Sequence, residues 1–216
     1  MKTRINYTTG LIALGSIVIS MLLMALPAWA QEEVRSQVNL QVTGLVPKDS
    51  SGTDSSGNGI TDHASKSGGI LAGYTFNLNR WAAVEGDYGF SRHTDTYSGT
   101  FGTYGIQANL HEITGAFLLR LPIAVSRARP YALAGAGALR FNPTSNLDSM
   151  AVGAQAQTKG VFLYGGGVNI DLKRNIGVRA EYRGMLVKVP DFGDASLTMN
   201  TTTHLAQPSI GIYYRF

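Results

Sequence analysis

The stretch NIGVRAEYRGM (175–185) alternates apolar and charged side chains with a period of two residues. Its apolar positions are Ile176, Val178, Ala180 and Tyr182, and its charged positions are Arg179, Glu181 and Arg183. Because successive side chains of a β-strand point to opposite faces, this pattern predicts a strand with one apolar and one charged face.

Seven further stretches show the same period between turn residues, so the sequence predicts eight strands in all. The predicted strands cover residues 36–46, 68–77, 81–91, 104–120, 130–141, 161–171, 175–185 and about 203–216. Most of them have roughly the 9–11 residues that cross a bilayer as a tilted strand.

The connections between these strands alternate in length. The long polar ones cover residues 47–66, 92–102, 142–159 and 188–204, and the others are NLNR, LKRN and the somewhat longer LPIAVSRAR (121–129). Long loops at one end, short turns at the other and an even strand count are typical of an outer-membrane barrel. The sequence therefore predicts an all-β fold, an eight-stranded antiparallel up-and-down transmembrane β-barrel.

The composition of the two faces separates a membrane barrel from a soluble one. A soluble barrel fills its interior with bulky apolar side chains, whereas the apolar face here mixes large residues with many glycines. Aromatic residues also stand near the strand ends, as interfacial girdles require. The apolar face is therefore predicted to meet lipid, and in 130–141 this assigns Tyr131, Leu133, Leu139 and Phe141 to the lipid side.

The opposite face is predicted to line a narrow lumen and to carry charges of both signs. These predicted lumen charges are Glu85, Asp87, Glu112, Arg140, Arg179, Glu181 and Arg183. They could line a gated ion path or form a plug of salt bridges. The plug is favoured because the interior of an eight-stranded barrel is just wide enough for side chains to fill.

The fourth predicted strand changes phase along its length. Ile113, Gly115 and Phe117 share the apolar parity of its second half, whereas Ile106 and Leu110 in its first half have the opposite parity. A β-bulge, or a strand that leaves the apolar zone, would reconcile the two halves, and the sequence leaves both open.

The N-terminal residues 1–30 have the features of a cleaved signal peptide. Lys2 and Arg4 precede the apolar run 11–26, and the tripeptide Ala28-Trp29-Ala30 matches an A-x-A cleavage site. The apolar run is shorter than the ~20 residues of a spanning helix. We therefore expect cleavage after Ala30 and a barrel domain over 31–216. That domain would carry 16 basic and 14 acidic residues, so nothing indicates a nucleic-acid surface.

Two pairs place a hydroxyl and an imidazole two residues apart, as a lipid hydrolase could use them. These are His63 with Ser65, and Ser91 with His93 near Asp87. A nucleophile also needs an oriented base and access to the lipid. We expect ordinary polar residues at both places and no enzymatic activity.

Residues 54–65 resemble a calcium-binding loop only in part, and we expect a flexible surface loop there. Asp54, Ser56, Asn58, Gly59 and Asp62 match part of the spacing, but a serine stands where the loop needs its final acid. The glycine runs AGAGAL and YGGGV are too incomplete and too strand-like for nucleotide fingerprints, and we expect them to let backbones pack closely or to accommodate the curvature of the barrel. No metal site or cofactor is predicted.

Several motifs together resemble the small eight-stranded outer-membrane β-barrels of Gram-negative-type bacteria, the group that includes the outer-membrane protein A transmembrane domain and the opacity proteins. The resemblance rests on the signal, the four long loops, PYALAGAGAL (130–139), RAEYR (179–183) and IYYRF (212–216). FNLNRWAAVEGDYGFSR (76–92) and HEITGAFLL (111–119) are similar to the generic outer-membrane β-barrel domain.

The resemblance also implies how such a chain is assembled into the outer membrane. A terminal aromatic residue after alternating apolar positions is read by the barrel-assembly machinery, which makes Tyr214 and Phe216 the expected assembly signal. Periplasmic chaperones and outer-membrane lipids are the other expected partners of a monomer with extracellular long loops and periplasmic termini. Pro208 departs from the pattern and predicts a bulge or the point where the strand enters the membrane.

The predicted function is structural or surface-interacting: envelope integrity, adhesion or recognition through the loops. A narrow porin-like channel and a lipid A-modifying hydrolase are the two alternatives.

Overall fold

The computed structural model describes residues 36–53, 59–99, 102–122, 127–147, 155–192 and 201–216. Ten strands are assigned in these ranges: β1 Ser36–Pro47, β2 Ser50–Thr53, β3 Gly59–Ala64, β4 Ser67–Asn77, β5 Ala82–Gly99, β6 Gly102–Arg120, β7 Ala128–Leu147, β8 Gln157–Asp171, β9 Ile176–Lys188 and β10 Thr202–Arg215. Within the same ranges, no helix has the length and apolar composition to cross a bilayer.

Eight of the strands close into an antiparallel barrel. Going round it, β1, β4, β5, β6, β7, β8, β9 and β10 follow in chain order, and β10 pairs with β1. The closing contact continues to Ser36 and Phe216, where Ser36 N donates to Phe216 O at 3.3 Å and Phe216 N donates to Ser36 O at 3.0 Å. The predicted fold class is confirmed.

The two ends of the barrel differ, and we name them by their connections. At the short-turn end lie the connections 78–81 and 172–175, the described residues 121, 122 and 127 between β6 and β7, and the paired residues Ser36 and Phe216. Asn79 shapes the first of these turns, since its Oδ1 accepts from Trp81 N at 2.7 Å and from Ala82 N at 2.8 Å. The opposite end is the long-loop end.

At the long-loop end the strands continue further than the sequence predicted. β5 and β6 pair without interruption out to Gly99 and Gly102, so the expected loop over 92–102 was wrong. β3 pairs with the outer part of β5, and β2 pairs with β3. Both faces of these extensions carry mostly polar residues. No alternation of apolar and polar residues therefore marks them as strands in the sequence.

Large apolar side chains cover the outside of the barrel. On β1, β4 and β10 the exposed ones are Val38, Leu40, Val42, Val46, Ile70, Tyr74, Phe76, Ile210, Ile212 and Tyr214. A continuous apolar belt is the surface that a bilayer requires of a spanning barrel.

The fourth predicted strand corresponds to β6, and its change of phase does not come from a bulge against β5. Ile106, Ala108 and Leu110 have the same inward parity as Glu112, and the β5–β6 register is unbroken. The lumen itself changes from polar to apolar towards the long-loop end. A register shift does occur on the other side of β6, against β7, between Ile106 and Ala108.

In β7 the predicted parity was wrong. Tyr131, Leu133, Leu139 and Phe141 are buried inside the barrel, and Arg140 faces outward. Outward positions here carry mainly alanine. The larger apolar residues fill this side of the lumen, so ranking the two faces by hydrophobicity selected the wrong one.

The expectation that the glycine runs bring backbones close together is confirmed. A Cβ at Gly135 would lie 2.1 Å from Gly115 O, and one at Gly137 would lie 2.2 Å from Ile113 O. Any larger residue would push β7 away from β6.

Pro208 interrupts the β1–β10 ladder without changing its register. Thr43 pairs with Ser209 and Val46 pairs with Ala206, so equal numbers of residues separate the two pairs on both strands. The predicted bulge is therefore not present at this pair of strands. The missing N–H of proline is accommodated by a gap in the pairing.

Leu40→Arg tests the apolar belt, because Leu40 faces outward between Ala72 and Ile212. An arginine near the bilayer midplane costs about 2–4 kcal/mol, so we expect a loss of that order in the free energy of unfolding. Equilibrium urea unfolding in phosphatidylcholine vesicles measures it.

The control is Thr61→Arg, which adds the same charge to the exposed face of β3, outside the belt. We expect it to leave the unfolding free energy unchanged. Equal losses in both variants would contradict the assignment of the outer face.

Candidate functional site in the barrel lumen

Six of the seven predicted lumen charges lie together inside the barrel. β5 contributes Glu85 and Asp87, β6 contributes Glu112, and β9 contributes Arg179, Glu181 and Arg183. All six are at most 5% exposed. Since adjacent inward positions on one strand are two residues apart, the sequence spacing alone stacks these groups along the lumen.

Arg179 occupies the part of this cluster nearer the short-turn end. Its Nη1 and Nη2 bond to the two carboxylate oxygens of Glu85 at 2.6 and 2.8 Å, a bidentate fork. Nη2 also reaches Glu181 Oε2 at 2.5 Å. Its Nε donates to Tyr131 OH at 2.6 Å, and the Tyr131 hydroxyl donates to Glu181 at 2.5 Å. Each of the three guanidinium nitrogens is thus bonded.

Arg183 lies in the next layer of the cluster, towards the long-loop end. It donates to Glu181 Oε1 at 2.6 Å, to Asp87 Oδ2 at 2.8 Å and to Glu85 Oε1 at 3.1 Å. Glu112 Oε1 lies 3.5 Å from Nη1. The two guanidinium groups are fully buried, so each depends on these partners for the solvation that water would otherwise supply.

Neutral side chains complete the cluster and were not predicted from the sequence. Thr75 donates to Glu85 at 2.5 Å, Gln207 donates to Glu112 at 2.8 Å, and Thr114 donates to Glu112 at 3.2 Å. The sequence pattern showed that these residues lie on the polar face of their strands. It did not single them out, because hydroxyl and amide groups are common on any polar strand face. Tyr131 was missed because its strand was assigned the wrong parity.

Arg140 was predicted in the lumen, and that prediction was wrong. It lies exposed on the outer face near the long-loop end, where its Nε donates to Asn142 Oδ1 at 3.1 Å. The register places it opposite His111 on β6. Arg92 on β5 is nearby on the same face and donates to Asn109 Oδ1 at 2.7 Å. We call Arg92, His111 and Arg140 the outer basic patch.

An apolar layer closes the lumen on the long-loop side of the charges. Met185, one inward step beyond Arg183, pairs with Leu163 and Leu205, and all three are buried. Further out, the ring of Phe192 meets that of Phe141 edge to face, with centroids 6.4 Å apart. Val189 and Phe192 are only 3% and 1% exposed, so the described residues after β9 turn inward at this end of the lumen.

Ser91 and His93 are buried inside this end of the barrel. His93 Nε2 lies 3.3 Å from Asp95 Oδ2, and the adjoining cavity of about 20 Å³ is no larger than a water molecule needs. Their side chains point away from the lipid-facing surface. The other pair, His63 and Ser65, is exposed: His63 Nδ1 lies 2.6 Å from Asp49 Oδ1, and Ser65 Oγ accepts from Thr94 N at 2.9 Å.

The remaining predicted sites lie outside or at the edge of what the structure describes. Asp54, Ser56 and Asn58 fall in residues 54–58, outside the described ranges, while Gly59 and Asp62 belong to β3. Tyr214 and Phe216 are exposed on the outer face with stacked rings 6.3 Å apart. Their recognition by the assembly machinery stays a prediction, as does the signal peptide.

A closed barrel with an apolar outside and a charge-filled inside defines a transmembrane barrel of the outer-membrane class. The model of the outer membrane protein β-barrel domain matches residues 16–216, so the chain belongs to that family and is an outer-membrane protein. The resemblance noted in the sequence is thereby confirmed.

Solved structures with the same fold are distant in sequence. OprG from Pseudomonas aeruginosa is 15% identical with a TM-score of 0.59, covering 84% of this chain and 95% of that one. Neisserial surface protein A is 14% identical with a TM-score of 0.55, covering 84% and 97%. The outer membrane protein AlkL, solved in lipid bilayers, is 14% identical with a TM-score of 0.50, covering 87% and 94%. No curated protein matches the sequence.

Arg183→Met tests the charge cluster. Removing one partner of a buried ionic network leaves the others unpaired, which costs about 3–5 kcal/mol of unfolding free energy. Adding Asp87→Asn should recover part of that loss, because one carboxylate that Arg183 balanced is then neutral. Urea unfolding in phosphatidylcholine vesicles provides the measurement.

Arg140→Met is the matched control, since it removes an arginine from the exposed outer face. It should cost less than about 1 kcal/mol, as exposed ion contacts do. A loss for Arg183→Met as small as that of the control would refute the role of the buried cluster.

Proposed function

We propose that the protein is a non-conducting, non-catalytic outer-membrane barrel whose role is structural and surface-interacting. The observation that carries this proposal is the blocked lumen. Arg179 and Arg183 are fully buried between four carboxyl groups, and an apolar layer with Phe141 and Phe192 lies beyond them. Among the described residues, a lumen filled in this way leaves no continuous aqueous path for an ion.

With the lumen blocked, the surfaces available for a function are the outside and the two ends. The long-loop end supports a recognition role, because β5 and β6 extend as a paired hairpin and β3 with β2 widens it into a small sheet. Hydrogen-bonded strands hold a shape that a free loop does not. We place this end outside the cell and both termini in the periplasm, as short periplasmic turns and long external loops are the rule in such barrels.

The outer basic patch supports contact with outer-membrane lipids. Arg92, His111 and Arg140 lie on three neighbouring strands at the long-loop end of the apolar belt. Tyr88 and Phe90 pack against His111 just below them, with Tyr88 OH 2.8 Å from His111 Nδ1. Aromatic side chains next to basic ones are favourable at the membrane interface, because the rings contact the lipid chains and the basic groups reach the phosphates. Such contacts would serve envelope integrity.

The two alternatives find less support. A channel would need the charge cluster and the apolar layer to separate. A lipid hydrolase would need Ser91 on the lipid-facing side, whereas it is buried on the lumen side with His93.

The first test is conductance. Purified protein in planar phosphatidylcholine bilayers should give no stepwise current, while a known porin in the same bilayer gives clear steps. The physical reason is the cost of moving an ion through the apolar layer beyond Arg183. Stable single-channel steps from the wild-type protein would contradict the proposal and favour the channel.

The second test concerns orientation and uses the absence of cysteine from the chain. Ser98→Cys places a thiol on the exposed end of β5, and Lys173→Cys places one in an exposed short turn. A membrane-impermeant maleimide applied to intact cells should label the first variant and should label the second only after the outer membrane is permeabilised. The reverse pattern would invert the proposed topology.

A further inference from the structure

The two arginines of the outer basic patch are held by a pair of asparagines that face each other across two strands. Asn109 on β6 is opposite Asn142 on β7 in the register. Arg92 Nε donates to Asn109 Oδ1 at 2.7 Å, and Arg140 Nε donates to Asn142 Oδ1 at 3.1 Å. Because directly opposed side chains have Cβ atoms about 5 Å apart, the two guanidinium groups approach the same spot from different strands.

Both asparagines bond to the Nε atom of their arginine. Most N–H donors of a guanidinium group belong to its two Nη nitrogens, so each arginine is fixed in direction and keeps these donors. Neither arginine is bonded to a carboxylate among the described residues. The arrangement is that of two cations aimed at one place.

The acidic residues of these strands do not balance this charge. β5 carries Glu85, Asp87 and Asp95, β6 carries Glu112, and β7 carries no acidic residue. All four carboxyl groups are buried inside the barrel. The outer face of β5, β6 and β7 therefore has basic side chains and no acidic ones, which favours an anionic occupant.

The patch lies where the apolar belt ends. On its short-turn side the outward residues include Tyr88 and Ile113, which are large and exposed. On its long-loop side the next outward pair is Thr94 with Gln107, and both are polar. A spanning barrel places this border at the level of the lipid headgroups, so the anion available here is a headgroup.

The surface of β7 next to Arg140 has room for a lipid chain. Its outward residues there are alanines, and Ala134 lies between Phe117 on β6 and Tyr164 on β8, both large and exposed. We call Ala132, Ala134, Ala136 and Ala138 the alanine groove. It begins beside the arginines and runs towards the short-turn end.

We propose that the outer basic patch binds one lipid with a phosphate-bearing headgroup, whose phosphate lies between Arg92 and Arg140 and whose acyl chain lies along the alanine groove. The pair of asparagine-held arginines carries the inference, because the fork of a guanidinium group matches two phosphate oxygens and two such groups can share one phosphate. His111, bonded to Tyr88 through Nδ1, presents its Nε2 to the same headgroup.

This inference rests on the proposed contact with outer-membrane lipids and makes it specific. A membrane lipid is favoured over a soluble phosphate ester, since only the lipid uses both the arginines and the adjoining apolar surface. The blocked lumen is a separate matter, so failure of this inference leaves the conductance test unaffected.

Native mass spectrometry of the protein, released from phosphatidylcholine nanodiscs that contain some phosphatidic acid, tests the site. We expect the protein to retain one molecule of phosphatidic acid in preference to phosphatidylcholine. Arg92→Gln and Arg140→Gln should each lower this preference about tenfold, because charge-assisted contacts to the phosphate are lost. Arg174→Gln, in the exposed β8–β9 turn, is the matched control and should change it less than about twofold.

A second pair of variants tests the alanine groove. Ala136→Leu fills it and should weaken retention of phosphatidic acid. Ala72→Leu makes the same change on the outer face of β4, between Leu40 and Tyr88, and should leave retention unchanged. Heat-modifiable migration on a gel checks that each variant is folded.

Four results would overturn the proposal. They are no preference for phosphatidic acid by the folded wild-type protein, equal losses in Arg140→Gln and Arg174→Gln, equal effects of the two leucine variants, and oleate retained as well as phosphatidic acid. Glycerol 3-phosphate, added in excess, should not displace the lipid. Displacement would show a site for soluble phosphate esters and would also overturn the assignment to a lipid.

Discussion

The closed ring of backbone hydrogen bonds is the constraint on which the rest of this structure depends. No water in the bilayer can satisfy a free N–H or C=O, so a sheet survives there only without edges. The β1–β10 pairing removes the last edge, and it extends to Ser36 and Phe216 at the short-turn end. Once the ring is closed, each spanning residue has only two directions: outward to lipid or inward to the lumen.

A ring of eight strands leaves a narrow interior, and that narrowness explains the buried charges. Arg179 and Arg183 can be placed there because Glu85 on β5 and Glu181 on their own strand β9 meet both guanidinium groups within hydrogen-bond distance. Tyr131 and Thr75 supply further donors to these two carboxylates at 2.5 Å. A buried network of this kind is weak evidence for added stability over an apolar core. Here the network fills the lumen. The outer surface and the two ends of the barrel are therefore the surfaces available for interactions.

Much of the fold was predictable from the sequence, and less of the site. The eight strands were found because lipid on one side enforces a strict period of two, and strands of this kind pair with their neighbours in chain order. The hairpin beyond Ser91 was missed because both of its faces are polar. Glu85, Asp87 and the three charges of β9 were found because charge is rare on spanning strands. The neutral members of the cluster carry no comparable signal, because hydroxyl and amide groups are common on any polar strand face.

The sequence by itself determined the eight strands that close the barrel, their order and the two-faced character of most of them, because alternation reports directly on whether a face meets lipid. Only the tertiary structure decided which face of β7 is inside. Its outward alanines and inward Tyr131, Leu133 and Phe141 reverse the hydrophobic ranking, since the lumen on that side must be filled by large side chains wherever charges are absent. The same tertiary requirement moved Arg140 to the outer surface. A local pattern shows that two faces differ, but the volume enclosed by the whole ring determines which one turns inward.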